Sequence, residues 1–201
     1  MAAVKVVSLT KEYIDGDHYL KAVDNVSFSI EEGEFVAIVG VSGSGKSTLL
    51  NLIGGLERPT HGCVFIHDVD ITQLSFEEQT DFRRWHIGFI FQKYNLIPTM
   101  NVYENIVLPA KLMKRKVDEK EVFRLVKDLE IQEKLFQMPD ALSGGQQQRV
   151  AIARAVYTHP TILLGDELTG NLDSRTSASV MKLLKGICSQ YQQTLLIVTH
   201  D

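Results

Sequence analysis

Cysteine is almost absent from this chain of 201 residues: only Cys63 and Cys188 occur, with no C-x-x-C pair. That excludes a disulfide framework and a cysteine zinc site, and makes a reducing, cytoplasmic setting the expectation. Long apolar runs are absent too, since no stretch approaches the roughly 18 consecutive apolar residues that span a bilayer. The opening Met1-Ala2-Ala3-Val4-Lys5-Val6 lacks the apolar core of a secretory signal. A membrane role is therefore expected only through partner subunits. Excess positive charge is missing as well. The formal net charge of −4 argues against general attraction to nucleic acid or anionic lipid. No internal repeat, low-complexity segment, sustained heptad or Pro/Gly linker interrupts the chain. With 44% hydrophobic and 23% charged residues, the composition is that of one globular domain, or one domain with a subdomain.

What is present begins at residues 40–48, Gly-Val-Ser-Gly-Ser-Gly-Lys-Ser-Thr, which fit the phosphate-loop pattern G-x-x-x-x-G-K-[ST]. Phe35-Val36-Ala37-Ile38-Val39 ahead of the loop reads as a buried parallel strand, and Ser47 to Ile53 as the start of a helix. The physics suits a polyphosphate. Gly40, Gly43 and Gly45, with Ser42 and Ser44 between them, let successive backbone N–H groups turn inward. The helix N-terminus adds about half a positive charge, and Lys46 adds a full one. Ser47 and Thr48 supply hydroxyls, that of Ser47 for Mg²⁺. The implied ligand is a nucleoside triphosphate.

Further on, Val26-Ser27-Phe28-Ser29-Ile30 alternates as a half-exposed, antiparallel strand does. Gly62 to Ile66 and residues 87–91 supply further strands. From about Asn101 to Tyr157 the pattern turns helical, with Val122, Leu125, Val126 and Leu129 on one stripe. A second stripe holds Val180, Leu183, Leu184, Ile187 and Cys188. Thr161 to Leu164 and Thr194 to Val198 return to buried strands. The expected fold is α/β: a phosphate-loop core of mostly parallel sheet flanked by helices, an antiparallel β subdomain at the N-terminus, and an inserted helical subdomain. Residues 1–92 and 158–201 form the core, and 93–157 the insertion. Lys111 to Lys116 reads as a solvated helix end.

Ile162-Leu163-Leu164-Gly165-Asp166-Glu167 provides the carboxylates that triphosphate chemistry needs after an apolar strand. Asp166 can hold the hydration shell of Mg²⁺, and Glu167 can take the proton of the attacking water. Leu142-Ser143-Gly144-Gly145-Gln146 reads as a second backbone-amide anion site, with Ser143 as N-cap. One chain has little use for two cradles on one phosphate tail. Two copies head-to-tail do.

Taken in order, the phosphate loop, Gln92, Leu142 to Gln146, Ile162 to Glu167, Asn171-Leu172-Asp173 and His200 resemble the ATPase domains of ABC transporters over essentially the whole chain. Thr169 to Asp173 and Gln92 to Leu96 are most similar to the lipoprotein-release, macrolide-export and FtsE-like type. The resemblance implies ATP as ligand and Mg²⁺ as cofactor, a second copy and transmembrane permease subunits as partners, and no nucleic acid. It implies a peripheral place on the cytoplasmic face of the membrane. Tyr13 would stack on the adenine, a core tyrosine being the plainer reading. Gln92 would bind Mg²⁺ and sense the γ-phosphate, or be an ordinary strand-end residue. Ser143, Gly144, Gly145 and Gln146 would reach the other copy's nucleotide. Asp173 would lie at the seam between copies, or simply cap the next helix. His200 would orient Glu167 and the water. Leu168 stands where the family usually has proline, which frees the chain beside the base and lowers expected turnover. The sequence ends one residue past His200, so that side chain is expected to be poorly fixed. A regulatory ATPase clamp without transport is the alternative reading.

Overall fold

The computed structural model describes residues 2–16 and 18–200, Asp15 by its backbone alone; Met1 and the final Asp201 lie outside the described residues. Two sheets form. The first is antiparallel, from β1 (Ala2–Asp15), β2 (His18–Glu31), β4 (His61–Ile66) and β5 (Val69–Asp70), in the order β2-β1-β4-β5. The second is parallel, from β3 (Phe35–Val39), β6 (Ile87–Ile90), β7 (Ile162–Asp166) and β8 (Thr194–Thr199), in the order β3-β8-β7-β6.

The parallel sheet is the layer on which everything else packs, and its alternation shows why. Ile162, Leu164, Leu196 and Val198 turn to one side, where they meet Leu49, Leu50, Leu52 and Ile53 of α1 (Lys46–Ile53) and the antiparallel sheet. Leu163, Leu195 and Ile197 turn to the other side, against a second cluster of helical residues. That cluster draws on α3 (Val102–Leu112), α4 (Glu119–Asp128), α5 (Gly144–Val156) and α6 (Ser174–Gln190). The stripe Val122, Leu125, Val126 and Leu129 is fully buried there, and so is Val180 with Leu184. Each such side chain contributes roughly 1.5–3 kcal/mol on burial. The helical insertion and the sheet therefore share one continuous apolar cluster.

One expectation is corrected. Phe35 to Val39 is a parallel strand, but it is the edge of its sheet and not buried: Phe35 is 40% and Val39 65% exposed. Among the described residues, only β8 pairs with it. An apolar run identifies a strand but says nothing about which neighbours flank it.

Local chemistry sets the helix ends. Asn101 and Glu104 form a capping box at α3, and Ser143 and Gln146 do so at α5. Helix α2 (Phe76–His86) starts with the same device at Ser75 and Glu78. Lys111 to Lys116 lies at the end of α3, as expected. Among the described residues, no helix is long and apolar enough to cross a membrane.

Candidate active site

The loop between β3 and α1 is held from three sides. Gly40 N–H donates to the carbonyl of Thr199 on β8 at 3.2 Å. Gly45 sits at φ +85, and a Cβ there would lie 2.0 Å from the carbonyl oxygen of Ala22, so only glycine fits. Lys46, 7% exposed, folds back and donates from Nζ to the carbonyls of Gly40 at 2.7 Å and Val41 at 2.8 Å. Its ammonium thus lies across the mouth of the cradle, satisfied by oxygens that a phosphate can replace.

Ser47 Oγ donates to Asp166 Oδ1 at 3.0 Å, across 119 positions of sequence. The parallel sheet makes this contact, since it brings the C-terminal ends of β3 and β7 to the same rim. Burial raises the pKa of Asp166, the Ser47 bond lowers it, Glu167 raises it, and Lys46 lowers it; the net direction is upward. The sign of the linkage follows. Native protein binds this proton more tightly than unfolded protein, so stability falls as pH rises through the raised native value. At neutral pH the charged Asp166 opposes folding. Asp166→Asn, measured without nucleotide or metal, is expected to raise the melting temperature by roughly 1–3 °C at pH 7. The gain should vanish below about pH 4, and hydrolysis should be lost.

Glu167 follows Asp166 with φ +43, an uncommon conformation for a side-chain-bearing residue. Its N–H donates to Val198 O at 3.0 Å, and its carbonyl accepts from Gly170 N at 3.0 Å. Those bonds hold the turn. Its carboxylate lies 3.3 Å from Nδ1 of His200, which is 53% exposed. Leu168 is 5% exposed and packs on Gly165, which anchors its side chain beside the base. Tyr13, Ser42 to Thr48 and Glu167 line one cleft of about 400 Å³. Tyr13 is 37% exposed and therefore not a core residue. Its hydroxyl donates to Glu57 Oε2 at 2.8 Å.

Other expected site residues lie elsewhere. Gln92 turns its amide onto Gly170, where an added Cβ would come within 2.5 Å of Nε2. It is thus not part of the Ser47–Asp166 pair. Ser143, Gly144, Gly145 and Gln146 do not line the phosphate-loop cleft. Ser143 is exposed, while Gln146 Oε1 accepts from Ser143 N at 2.9 Å, committing that side chain to the cap. Gly144 lies under the hydroxyl of Tyr94, and Gly145 is buried against Thr176. Asp173 caps α6, accepting from the N–H groups of Arg175 and Thr176 and from the Thr176 hydroxyl. Those bonds hold its carboxyl below the usual range.

Two residues escaped the sequence reading. Arg154 on α5 donates to the carbonyls of Tyr94 at 2.8 Å and Asn95 at 2.6 Å, gripping two residues that both have positive φ. Asn105, fully buried on α3, bonds Ile97 through both N–H and C=O and donates to the carbonyls of Met100 and Asn101. Together they fix the loop that follows Gln92. Helical spacing was the available signal for Arg154, which lies about three turns beyond Ser143 on the same face.

A phosphate loop on the rim of a parallel sheet, with a carboxylate pair beside it and a second glycine corner on the inserted helices, defines an ATP-binding cassette. Residues 23–170 match the ABC transporter family, and the chain belongs to it. It is an ATP-binding, ATP-hydrolysing subunit of the transporter class. It is 45% identical over 204 residues to the uncharacterized ABC transporter ATP-binding protein MJ0796 of Methanocaldococcus jannaschii, covering 98% of this chain and 87% of that protein. The dimeric structure of that cassette in a post-hydrolysis state, bound to ADP and Pi, matches with a TM-score of 0.88 at 44% identity, over 98% of this chain and 88% of that one. The lipoprotein-releasing system ATP-binding protein LolD of Colwellia psychrerythraea is 42% identical, covering 96% of this chain and 76% of LolD. The macrolide export ATP-binding/permease protein MacB of Rhodopirellula baltica is 39% identical, covering 98% of this chain but 30% of MacB. The lipoprotein-release and macrolide-export resemblance is thereby borne out.

Proposed function

We propose that two copies of this chain close head-to-tail over two ATP molecules, each phosphate loop facing the Ser143-Gly144-Gly145 corner of the other copy. The observation that carries this is the separation of the two cradles: the corner at the start of α5 lies outside the cleft lined by Tyr13, Ser42 to Thr48 and Glu167. That the MJ0796 cassette is dimeric with ADP and Pi bound supports a pairing of two copies. In this reading residues 1–92 and 158–201 are the nucleotide-binding body, and 93–157 the subdomain that carries the corner.

Each residue then has a task. Lys46 exchanges the Gly40 and Val41 carbonyls for phosphate oxygens. The backbone of Gly40 to Thr48 cradles the phosphates, and Tyr13 stacks on the base. Ser47 and Asp166 offer hard oxygen donors side by side, a set that suits Mg²⁺ better than a soft metal. Gln92 joins them by leaving Gly170. Bound there, the metal supplies charge neutralisation at the outer phosphates. Glu167 accepts the proton of the attacking water, and His200 holds that carboxylate in line. Asp173 places the turn before α6 at the seam. The movement passes to transmembrane permease subunits, which hold this chain at the cytoplasmic face of the membrane; MacB joins an ATP-binding part and a permease in one protein.

Ser143→Arg tests the division of the site between copies. ATP affinity of the isolated chain, by calorimetry, is expected to stay within about twofold, while hydrolysis falls about 10²-fold. Equal loss of binding and turnover would put Ser143 in its own chain's site.

A further inference from the structure

We infer that Glu57 and Lys11 are positioning residues for Tyr13, fixing the stacking ring to the segment that leaves the helix whose first turn holds the phosphates. This rests on the stacking role of Tyr13 proposed above.

The geometry is a three-membered clamp. Glu57 uses its two oxygens for two different donors: Oε2 accepts from the Tyr13 hydroxyl at 2.8 Å, and Oε1 pairs with Lys11 Nζ at 2.9 Å. Lys11 Nζ also donates to the carbonyl of Arg58 at 2.9 Å and lies 5.0 Å from the centroid of the Tyr13 ring. The ammonium thus takes one face of the ring by cation–π attraction, which leaves the opposite face for a base. The strand is stitched to the same segment on both sides of Lys11. Glu12 N–H donates to Thr60 Oγ1 at 2.9 Å, and Thr60 N–H to Thr10 O at 2.8 Å.

Glu57 reaches Tyr13 because of how α1 ends. Gly54 N–H donates to Leu50 O and Leu56 N–H to Asn51 O, both at 2.9 Å, with Gly55 at φ +61 between them. This left-handed turn reverses the chain just past the last helical residue and carries Glu57 back toward the cleft. The N-terminus of α1 holds the phosphate end of the ligand, and the segment leaving its C-terminus holds the ring for the other end. Helix length then acts as a fixed gauge between base and phosphates. The hydroxyl of Tyr13 sits in the same frame: burial and Glu57 push its pKa up, and an approaching Thr48 hydroxyl pulls it down.

A ring held this way is ordered before the nucleotide arrives, so base binding carries no cost for fixing it. The anchor acts through the ring and reads no base edge. It favours every purine nucleotide alike and does nothing for a bare polyphosphate.

The test compares affinities of the whole chain for ATP, GTP and inorganic triphosphate by calorimetry. Glu57→Ala is expected to weaken ATP and GTP equally, by about 3- to 10-fold, and to leave inorganic triphosphate unchanged. Glu57→Gln keeps an acceptor for the Tyr13 hydroxyl and should stay within about twofold of the native affinities. Lys11→Met should show the same split in smaller measure, and it carries the test if Glu57→Ala does not fold. Loss of triphosphate affinity in step with ATP, or no loss of either, overturns the inference. Tyr13→Ala separates the two levels. If it spares ATP affinity, the stacking role falls and the clamp with it; if it weakens ATP while Glu57→Ala and Lys11→Met do not, only the clamp falls.

Discussion

Glu167→Gln is expected to slow steady-state ATP hydrolysis by about 10²–10⁴-fold while leaving nucleotide binding intact. The side chain keeps its size and its place at the rim of the cleft. It also keeps the backbone bonds from Glu167 N–H to Val198 and from Gly170 N–H to Glu167, because these do not involve the carboxylate. What it loses is the ability to accept a proton. An equal loss of affinity would mean that Glu167 acts as a scaffold, since a base is needed only as the barrier is crossed. His200, 3.3 Å from the carboxylate, should give a smaller loss when changed to Ala, because it acts through Glu167.

The second large effect belongs to Lys46→Ala. The ammonium is buried and satisfied by two loop carbonyls, so its removal takes away the cradle's one full positive charge and strips Gly40 O and Val41 O of that donor, Val41 O keeping only the long bond from Ser44 N–H at 3.3 Å. ATP affinity should fall by at least about 10²-fold, in line with a buried charge-assisted contact to phosphate. Lys46→Met, which keeps most of the stem, should lose as much affinity with a smaller loss of melting temperature. Calorimetry on both variants separates the charge from the packing. Affinity unchanged in Lys46→Met would remove Lys46 from the phosphate site.

Chemistry that sits in contiguous residues was legible in the sequence. The phosphate loop, the apolar run ending in Asp166 and Glu167, and the N-cap at Ser143 each declare themselves within a few positions, because local backbone geometry decides them. The stripes of α4 and α6 were legible for the same reason, since helical periodicity needs no knowledge of the partner. Contacts made by topology were not. That Ser47 meets Asp166 follows from the strand order, and that β3 is an edge follows from it too; neither is written in Phe35 to Val39. Glu57 reaches Tyr13 across 44 positions only because the chain reverses at Gly55. An arginine near a helix end ordinarily reads as solvated, so sequence does not mark Arg154, which here grips the carbonyls of Tyr94 and Asn95. The orientation of Gln92 toward Gly170 is likewise a packing outcome, set by a neighbour 78 positions away.

The motif readings also carried more than one meaning, and the structure separates some of them. Asp173 does cap α6, which accounts for its lowered pKa without any second chain. That leaves the seam role to be tested by association and not by titration. Tyr13 is 37% exposed beside the phosphate loop, which removes the plain core reading.

Sedimentation of the Glu167→Gln chain, titrated with ATP and Mg²⁺, tests the shared site most directly. Slow hydrolysis should trap the closed state, so the mass should double as nucleotide saturates and return to that of one chain when Ser143→Arg is added. A chain that binds ATP to saturation yet sediments as a monomer at every concentration would contradict it.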